Sequence, residues 1–200
     1  GAAPYVKCEE GLIMDTATNL LIVGVINGNE TTVVTRVGKN DNAAYLVNKI
    51  DEVLNKANLK LDDIDEIIVG IGPGSYTGIR VSVVVAKTLS YSKSIPLKQI
   101  SSIAILTSGY EEEVVGAIDA RRKYYFAGTY LKANSVIKDQ YISYDEIKDE
   151  TNLVILNKDT IKLNLFNIKK ESRKVKDVFN LEPNYLRRTE AEVSYDKKNE

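Results

Sequence analysis

Apolar and polar positions follow a regular order along the chain, and each change of period marks an element. Leu12-Ile13-Met14 is a short apolar run ending at Asp15, and Leu20 to Ile26 is a longer one. Both read as strands. Asn27-Gly28 is a strong hairpin signal, so the Thr- and Val-rich run Glu30 to Val37 reads as a third, antiparallel strand. Asn40 and Asp41 then offer a side-chain oxygen to cap a helix. From Asn42 to Ala57 the apolar residues Ala43, Leu46, Val47, Ile50, Val53, Leu54 and Ala57 recur at three- and four-residue steps, which predicts a helix with one apolar stripe. Ile67 to Ile71 reads as a strand, stopped by the loop Gly72-Pro73-Gly74-Ser75-Tyr76-Thr77-Gly78. With Thr77 as cap, a second helix is predicted from Gly78 to about Lys93. Its Val81, Val83, Val84, Val85, Ala86 and Leu89 cover more than one stripe and imply burial on two sides. Pro96 ends this unit, and a strand and short helix run through Leu97 to Ser108.

Gly109 and Glu111-Glu112-Glu113 mark a change of composition. Beyond them Val114 to Asp119, Tyr124 to Lys132 and Ser135 to Ser143 read as strands, Tyr144 to Lys148 as a short helix and Leu153 to Leu156 as a strand. The order strand, strand, strand, helix, strand therefore occurs twice, which predicts two related lobes. The expected organisation is an extension over residues 1–10, a first lobe over 11–108, a shortened second lobe over 109–180 and a C-terminal segment over 181–200. Lys158 to Lys176 is rich in lysine with little periodicity, and is expected to be solvated and mobile rather than a nucleic-acid patch.

Composition narrows the chemistry. The 200 residues are 44% hydrophobic and 28% charged, the balance of a globular protein. No apolar run approaches the roughly 20 residues that span a bilayer, and the N-terminus lacks a signal-peptide pattern, so a cytoplasmic protein without a membrane is expected. Cys8 is the only cysteine and reads as an ordinary thiol. There is no histidine, which removes Ser-His-Asp triads, Cys-His pairs and histidine-based zinc sites while leaving Asp, Glu, Lys and Tyr available. With 27 basic and 28 acidic residues the net charge is -1, so any RNA contact must be local or supplied by a partner.

Two segments carry candidate chemistry. Asp15-Thr16-Ala17-Thr18, at a first-strand tip, suits phosphate or hydrated magnesium in actin-like ATPases, and suits equally a turn in which Asp15 accepts backbone N–H groups. The glycine loop lies between strand and helix, where free N–H groups attract anions. It lacks the Gly-Lys-Ser/Thr ending of a Walker A loop, and Ser75 has no histidine to activate it. A structural turn outweighs an ATP cradle. If a nucleotide site survives, it is a degenerate one built from Asp15, Thr16, Gly72, Gly74 and Ser75.

Met14-Asp15-Thr16-Ala17-Thr18 followed by Ile71-Gly72-Pro73-Gly74-Ser75-Tyr76-Thr77-Gly78-Ile79-Arg80 closely resembles the TsaB family. Ile118-Asp119-Ala120-Arg121-Arg122-Lys123-Tyr124-Tyr125 and Glu182-Pro183-Asn184-Tyr185-Leu186-Arg187-Arg188-Thr189-Glu190-Ala191-Glu192 agree in order and spacing, so the resemblance covers Gly11 to Glu192. It implies an α/β, two-lobed actin-like fold (ASKHA, ribonuclease H-like), each lobe a mixed sheet with flanking helices and the second lobe reduced. It also implies a non-catalytic subunit of the machinery that makes threonylcarbamoyladenosine in tRNA. Such a subunit pairs with TsaD, works with TsaE and meets tRNA through the complex; ATP and a metal belong to the partners, and this chain requires no cofactor. The partner interface is expected on the two first-lobe helices, at Leu46, Ile50, Val53, Leu54, Val81, Val84, Val85 and Leu89. The alternatives are a free-standing actin-like ATPase or glycoprotease-like peptidase, and a homodimeric structural protein. Two departures stand out: Glu9 and Glu10 where an apolar strand would continue, and a short stretch from Lys158 to Pro183 that lacks the family's additional helix.

Overall fold

The computed structural model describes residues 9–186. Cys8, nearly all of the N-terminal extension, and Arg187 to Glu192 of the C-terminal block lie outside the described residues.

Strands β1 (Gly11–Asp15), β2 (Leu20–Asn27) and β3 (Glu30–Val37) form an antiparallel meander, with Gly11 opposite Ile26 and Asp15 opposite Ile22. Helix α1 (Asn42–Lys56) leads to β4 (Glu66–Gly70), which lies parallel to β1 with Leu12 beside Ile67. Helix α2 (Tyr76–Lys93) leads to β5 (Leu97–Ile100), parallel to β4, and then to the short α3 (Ser102–Leu106). The second unit repeats the order: β6 (Val114–Asp119), β7 (Tyr124–Leu131), β8 (Asn134–Ser143), α4 (Tyr144–Ile147) and β9 (Leu153–Ile155). Its sheet runs β8-β7-β6-β9, matching β3-β2-β1-β4 of the first. This is the two-lobed actin-like architecture implied by the sequence.

β1 and β4 are buried on both faces, which is why they read as continuous apolar runs. Leu12 and Met14 point to the side covered by α1 and α2, with Val23, Ile67 and Val69. Ile13, Ile22 and Ile68 point to the other side, where α3, Phe126 and Tyr130 of the second lobe meet them. The two lobes therefore meet in a shared core on this side of the first sheet, while α1 and α2 cover the first lobe's own core on the other.

Both helix caps differ from the sequence expectation. Asp41 makes no cap bond; Arg36 grips it with both guanidinium nitrogens at 2.8 and 2.9 Å, which holds its carboxyl below the usual range. The second helix begins at Tyr76 rather than Gly78, because Ser75 Oγ accepts from Gly78 N–H at 3.2 Å. The lysine-rich segment is also ordered. Asn164 caps α5 (Leu165–Glu171), which buries Leu165 and Ile168 in the shared core. Lys169 of α5 and Lys98 of β5 flank the buried carboxylate of Glu66, at 3.9 and 3.1 Å. β10 (Arg173–Lys174) then adds to the first sheet beside β5, and Val175 and Leu181 join the first-lobe core. The chain thus returns to the first lobe well before the boundary expected at residue 180. A single buried apolar pair, a cation and bonds from Asn164 and Asn167 to Ser108 dock this helix, too weak a pattern to register as periodicity.

Candidate functional site

The site is built where β1 ends. Asp15 is fully buried, its Oδ1 accepting from Ser102 Oγ at 2.5 Å and its Oδ2 from Ala17 N–H at 3.2 Å. Burial pushes its carboxyl up from 3.8 to about 6, against the lowering pull of these two bonds. Thr16 is equally buried. Its Oγ1 donates to the Gly78 carbonyl at 2.5 Å and accepts from Ser82 N–H at 3.1 Å, with Ser82 Oγ 2.9 Å away.

The glycine loop closes over this turn. Ser75 N–H donates to the Ala17 carbonyl at 2.7 Å. A Cβ at Gly70 would overlap the Asp15 carboxylate, one at Gly74 the Ala17 carbonyl and one at Gly78 the Thr16 carbonyl. Glycine is therefore required by close approach of two backbones, not by a ligand. Ser102 clamps the loop from the far side: its Oγ accepts from Gly72 N–H at 2.9 Å and its N–H donates to the Gly72 carbonyl at 2.9 Å.

The C-terminal block arrives at the same place. Asn184 N–H donates to the Ile71 carbonyl at 2.7 Å, and Tyr185 stacks on Tyr76 with centroids 4.7 Å apart and the Arg80 guanidinium 5.7 Å from the Tyr76 ring centroid. Lys87 Nζ of α2 donates to the carbonyls of Phe179 and Leu181, holding this strap along the helix. Three of the sequence blocks thus converge and complete one another. The fourth stands apart at the β6–β7 turn, where Asp119 Oδ1 accepts from Arg121 N–H at 2.7 Å and Arg121, Arg122 and Lys123 all take positive φ.

A nucleotide phosphate does not fit these residues as arranged. Both Asp15 oxygens and the Thr16 hydroxyl are already engaged, and Gly72 is buried beneath the strap while Ser75 serves as a helix cap. No group of three or more Cys, Asp or Glu side chains that could hold a metal ion occurs among the described residues. The expected partner-facing residues divide in two. Leu46, Ile50, Val53 and Leu54 are at most 5% exposed and belong to the chain's own core, because the single stripe of α1 is consumed by the sheet. Val84 is 56% exposed, and Val81, Val85 and Leu89 are half-buried beside it. Sequence reasoning missed Ser82 and Ser102, the side chains that hold the two motifs together. Ser101-Ser102 before the apolar run Ile103 to Leu106 is a cap signal that points to that position.

Residues 33–182 match the family described as "TsaD: tRNA N6-adenosine threonylcarbamoyltransferase". The chain belongs to this family. Within it the chain is similar to proteins named "tRNA threonylcarbamoyladenosine biosynthesis protein TsaB". The TsaB of Haemophilus influenzae is 29% identical over 152 residues, covering 68% of this chain and 64% of the relative. That of Bacillus subtilis is 31% identical over 103 residues, covering 50% of this chain and 45% of the relative. The chain therefore spans about half to two thirds of the length of these curated relatives. Among solved structures, YeaZ from Pseudomonas aeruginosa superposes with a TM-score of 0.62 at 26% identity, covering 68% of each chain. A further structure, described as similar to peptidase YEAZ from the same organism, reaches 0.74 at 19% identity over 90% of this chain and 100% of its own, a likeness of fold. No helix among the described residues is long and apolar enough to cross a membrane.

Proposed function

We propose that this chain is the non-catalytic subunit that pairs with TsaD, in an assembly with TsaE, and supports threonylcarbamoyl transfer to adenosine in tRNA. The observation that carries this reading is the mutual closure of the Asp15-Thr16 turn and the glycine loop. In a family whose model is named for a transferase, the residues at the strand tip are spent on holding the first lobe rigid, and the sequence has no histidine for acid-base or metal chemistry. ATP and metal are then the partners' contribution, and the complex acts in the cytoplasm.

The partner face is the outer side of α2. Val84, Tyr91 and the strap residue Phe179 are 56%, 69% and 71% exposed, Tyr91 meets Phe179 edge to face at 5.2 Å, and Val47 of α1 lies 58% exposed. A solvent-facing apolar set of this kind marks a protein-protein surface. It would accept TsaD or a second copy of the chain. The test is reconstitution by omission. The chain, TsaD and TsaE are purified separately, and threonylcarbamoyladenosine in tRNA is measured with each left out, alongside the mass of the chain with and without TsaD. The expected result is a heterodimer, loss of modification when the chain is omitted, and no ATP or peptide turnover by the chain alone. Turnover by the isolated chain that disappears in Asp15→Ala or Ser75→Ala would establish the enzyme reading instead. A homodimer that persists in the presence of TsaD would establish the structural one.

A further inference from the structure

The seam between the lobes holds a carboxylate that the proposed function leaves unused. Between β7 and β8, Ala127 faces Gln140 whereas Thr129 faces Ile137, so β8 carries one residue more than its partner across this interval. Such a bulge re-aims a side chain out of the strand's alternation. Here it lays Asp139 across β7 above Gly128, where a Cβ would overlap Asp139 Oδ1. In that position Oδ1 accepts from Tyr130 OH at 2.6 Å and Oδ2 accepts from Ser101 Oγ at 2.6 Å. Tyr130 is 4% exposed and lies in the shared core.

Ser101 belongs to the other lobe. It is the N-cap of α3, and its Oγ also accepts from Ile103 N–H at 3.1 Å. Its neighbour Ser102 reaches the opposite way, to Asp15 and to both backbone polar groups of Gly72. Two consecutive serines thus tie a carboxylate of each lobe to one helix start. We infer that Asp139 is an interlobe latch, which fixes the second lobe to the start of α3 through Ser101 and, through Ser102, couples lobe position to the glycine loop and Asp15. A rotation of the second lobe must break the Ser101 bond or drag α3 with it, and displacement of α3 withdraws Ser102 from Gly72. The convergence of a bulge, a glycine, a tyrosine and a serine on one carboxylate is what distinguishes this arrangement from an incidental surface contact.

The test is amide hydrogen exchange on the full chain, read at Gly72 and Ser102, whose N–H groups lie in the coupled bonds, and at Ile13 in the central strand as reference. Asp139→Ala is the main variant. Leu153→Ala is the control, because Leu153 packs in the small cluster on the far face of the second sheet and weakens that lobe without touching the latch. Losing hydrogen bonds to a charged group corresponds to an opening equilibrium on the order of tenfold larger. Exchange at Gly72 and Ser102 should therefore accelerate about tenfold relative to Ile13 in Asp139→Ala, and keep its ratio to Ile13 in Leu153→Ala. Should Asp139→Ala fail to fold, Tyr130→Phe, which removes one donor and keeps Ser101, is read the same way with a smaller acceleration. An unchanged ratio in the Asp139 or Tyr130 variant, or an equal change in the Leu153 control, overturns the latch. TsaD takes no part in this measurement, so its outcome is independent of the proposed partnership.

Discussion

The first strand of each lobe ends in an aspartate, and the two meet opposite fates. Asp15 at the tip of β1 is fully buried beneath the glycine loop, whereas Asp119 at the tip of β6 is exposed and accepts one turn N–H. The helices differ in the same sense: α1 has 15 residues and covers its sheet, while α4 has four and leaves the outer face of the second sheet with a small cluster of Val115, Ala117, Ala127 and Ile147. One element order thus yields one lobe that is closed and self-sufficient and one that leans on it through the shared core. The strand tip of the first lobe is buried because the glycine loop after β4 and Ser102 of α3 close over Asp15, whereas Asp119 is left in water at its own turn.

The sharpest way to break this comparison is to charge the two helices of the first lobe. Ile50→Glu places a carboxylate at a 5% exposed core position with no partner, which costs several kcal/mol, so the chain should fail to fold. Val84→Glu, at a 56% exposed position, should change stability by less than about 0.5 kcal/mol and instead abolish TsaD pairing. Circular dichroism and co-purification read the two effects separately. A folded Ile50→Glu chain would mean that α1 is not committed to the sheet. In the second lobe Ile147→Ala should fall at the low end of the 2–5 kcal/mol range for such truncations, about 2 kcal/mol, because the four-residue α4 can settle into the gap. Denaturant midpoints for Ile147→Ala and for Ile68→Ala in the shared core test this; a larger loss for Ile147→Ala would reverse the ranking of the lobes.

The buried aspartate supplies the next effect. Its folded value of about 6 lies above the ordinary 3.8, so the folded chain holds the proton more tightly than the unfolded one. The associated stability is fully present below about pH 4 and is lost as pH rises through 6, a change on the order of 3 kcal/mol. Asp15→Asn should remove this dependence. The stability difference between wild type and Asp15→Asn, followed by urea unfolding from pH 4 to pH 7, should therefore shift steadily against the wild type. A difference that stays flat across that range would show that Asp15 does not titrate there.

How much of this was legible in sequence follows from the range of the interactions involved. The meander, α1, β4 and the repeated order were readable because period and turn chemistry are local. The first helix starts at Asn42 as expected, although Asp41 is taken by Arg36 and makes no cap bond, and the second starts earlier than expected because Ser75, two positions before Thr77, is its cap. α5 was invisible, since Leu165 and Ile168 are one buried apolar pair in a seven-residue helix and its other ties reach Ser108, Asn134 and Glu66, about 30 to 100 residues away in the chain. The site residues were found as motifs, but not what they do to one another: the bond from Ser102 to Asp15 spans 87 positions and that from Thr16 to Ser82 spans 66. Leu46, Ile50, Val53 and Leu54 had the spacing of a packing face, and spacing alone does not say whether the chain's own sheet or a partner fills it.

The smallest effect separates the turns that follow the two aspartates. In the second lobe Arg121, Arg122 and Lys123 occupy left-handed backbone at φ of 69, 56 and 63 degrees, a conformation that costs an L-residue about 1–2 kcal/mol. In the first lobe Ala17 is not among the residues with positive φ, and it is packed at 1% exposure. Glycine should therefore act with opposite sign at the two places. Arg122→Gly relieves the steric cost and gives up roughly 0.5–1 kcal/mol to the freer unfolded chain, for a net gain of a few tenths to about 1 kcal/mol. Ala17→Gly loses a buried methyl and adds backbone freedom with nothing to relieve, so it should cost about 1 kcal/mol or more. For a chain of this length 1 kcal/mol corresponds to about 2–4 °C in Tm, so thermal unfolding resolves the pair. A fall in Tm for Arg122→Gly would mean that the Arg122 side chain, rather than the Asp119 bond to Arg121 N–H, holds the turn closed. The second-lobe tip would then be a packed element like the first.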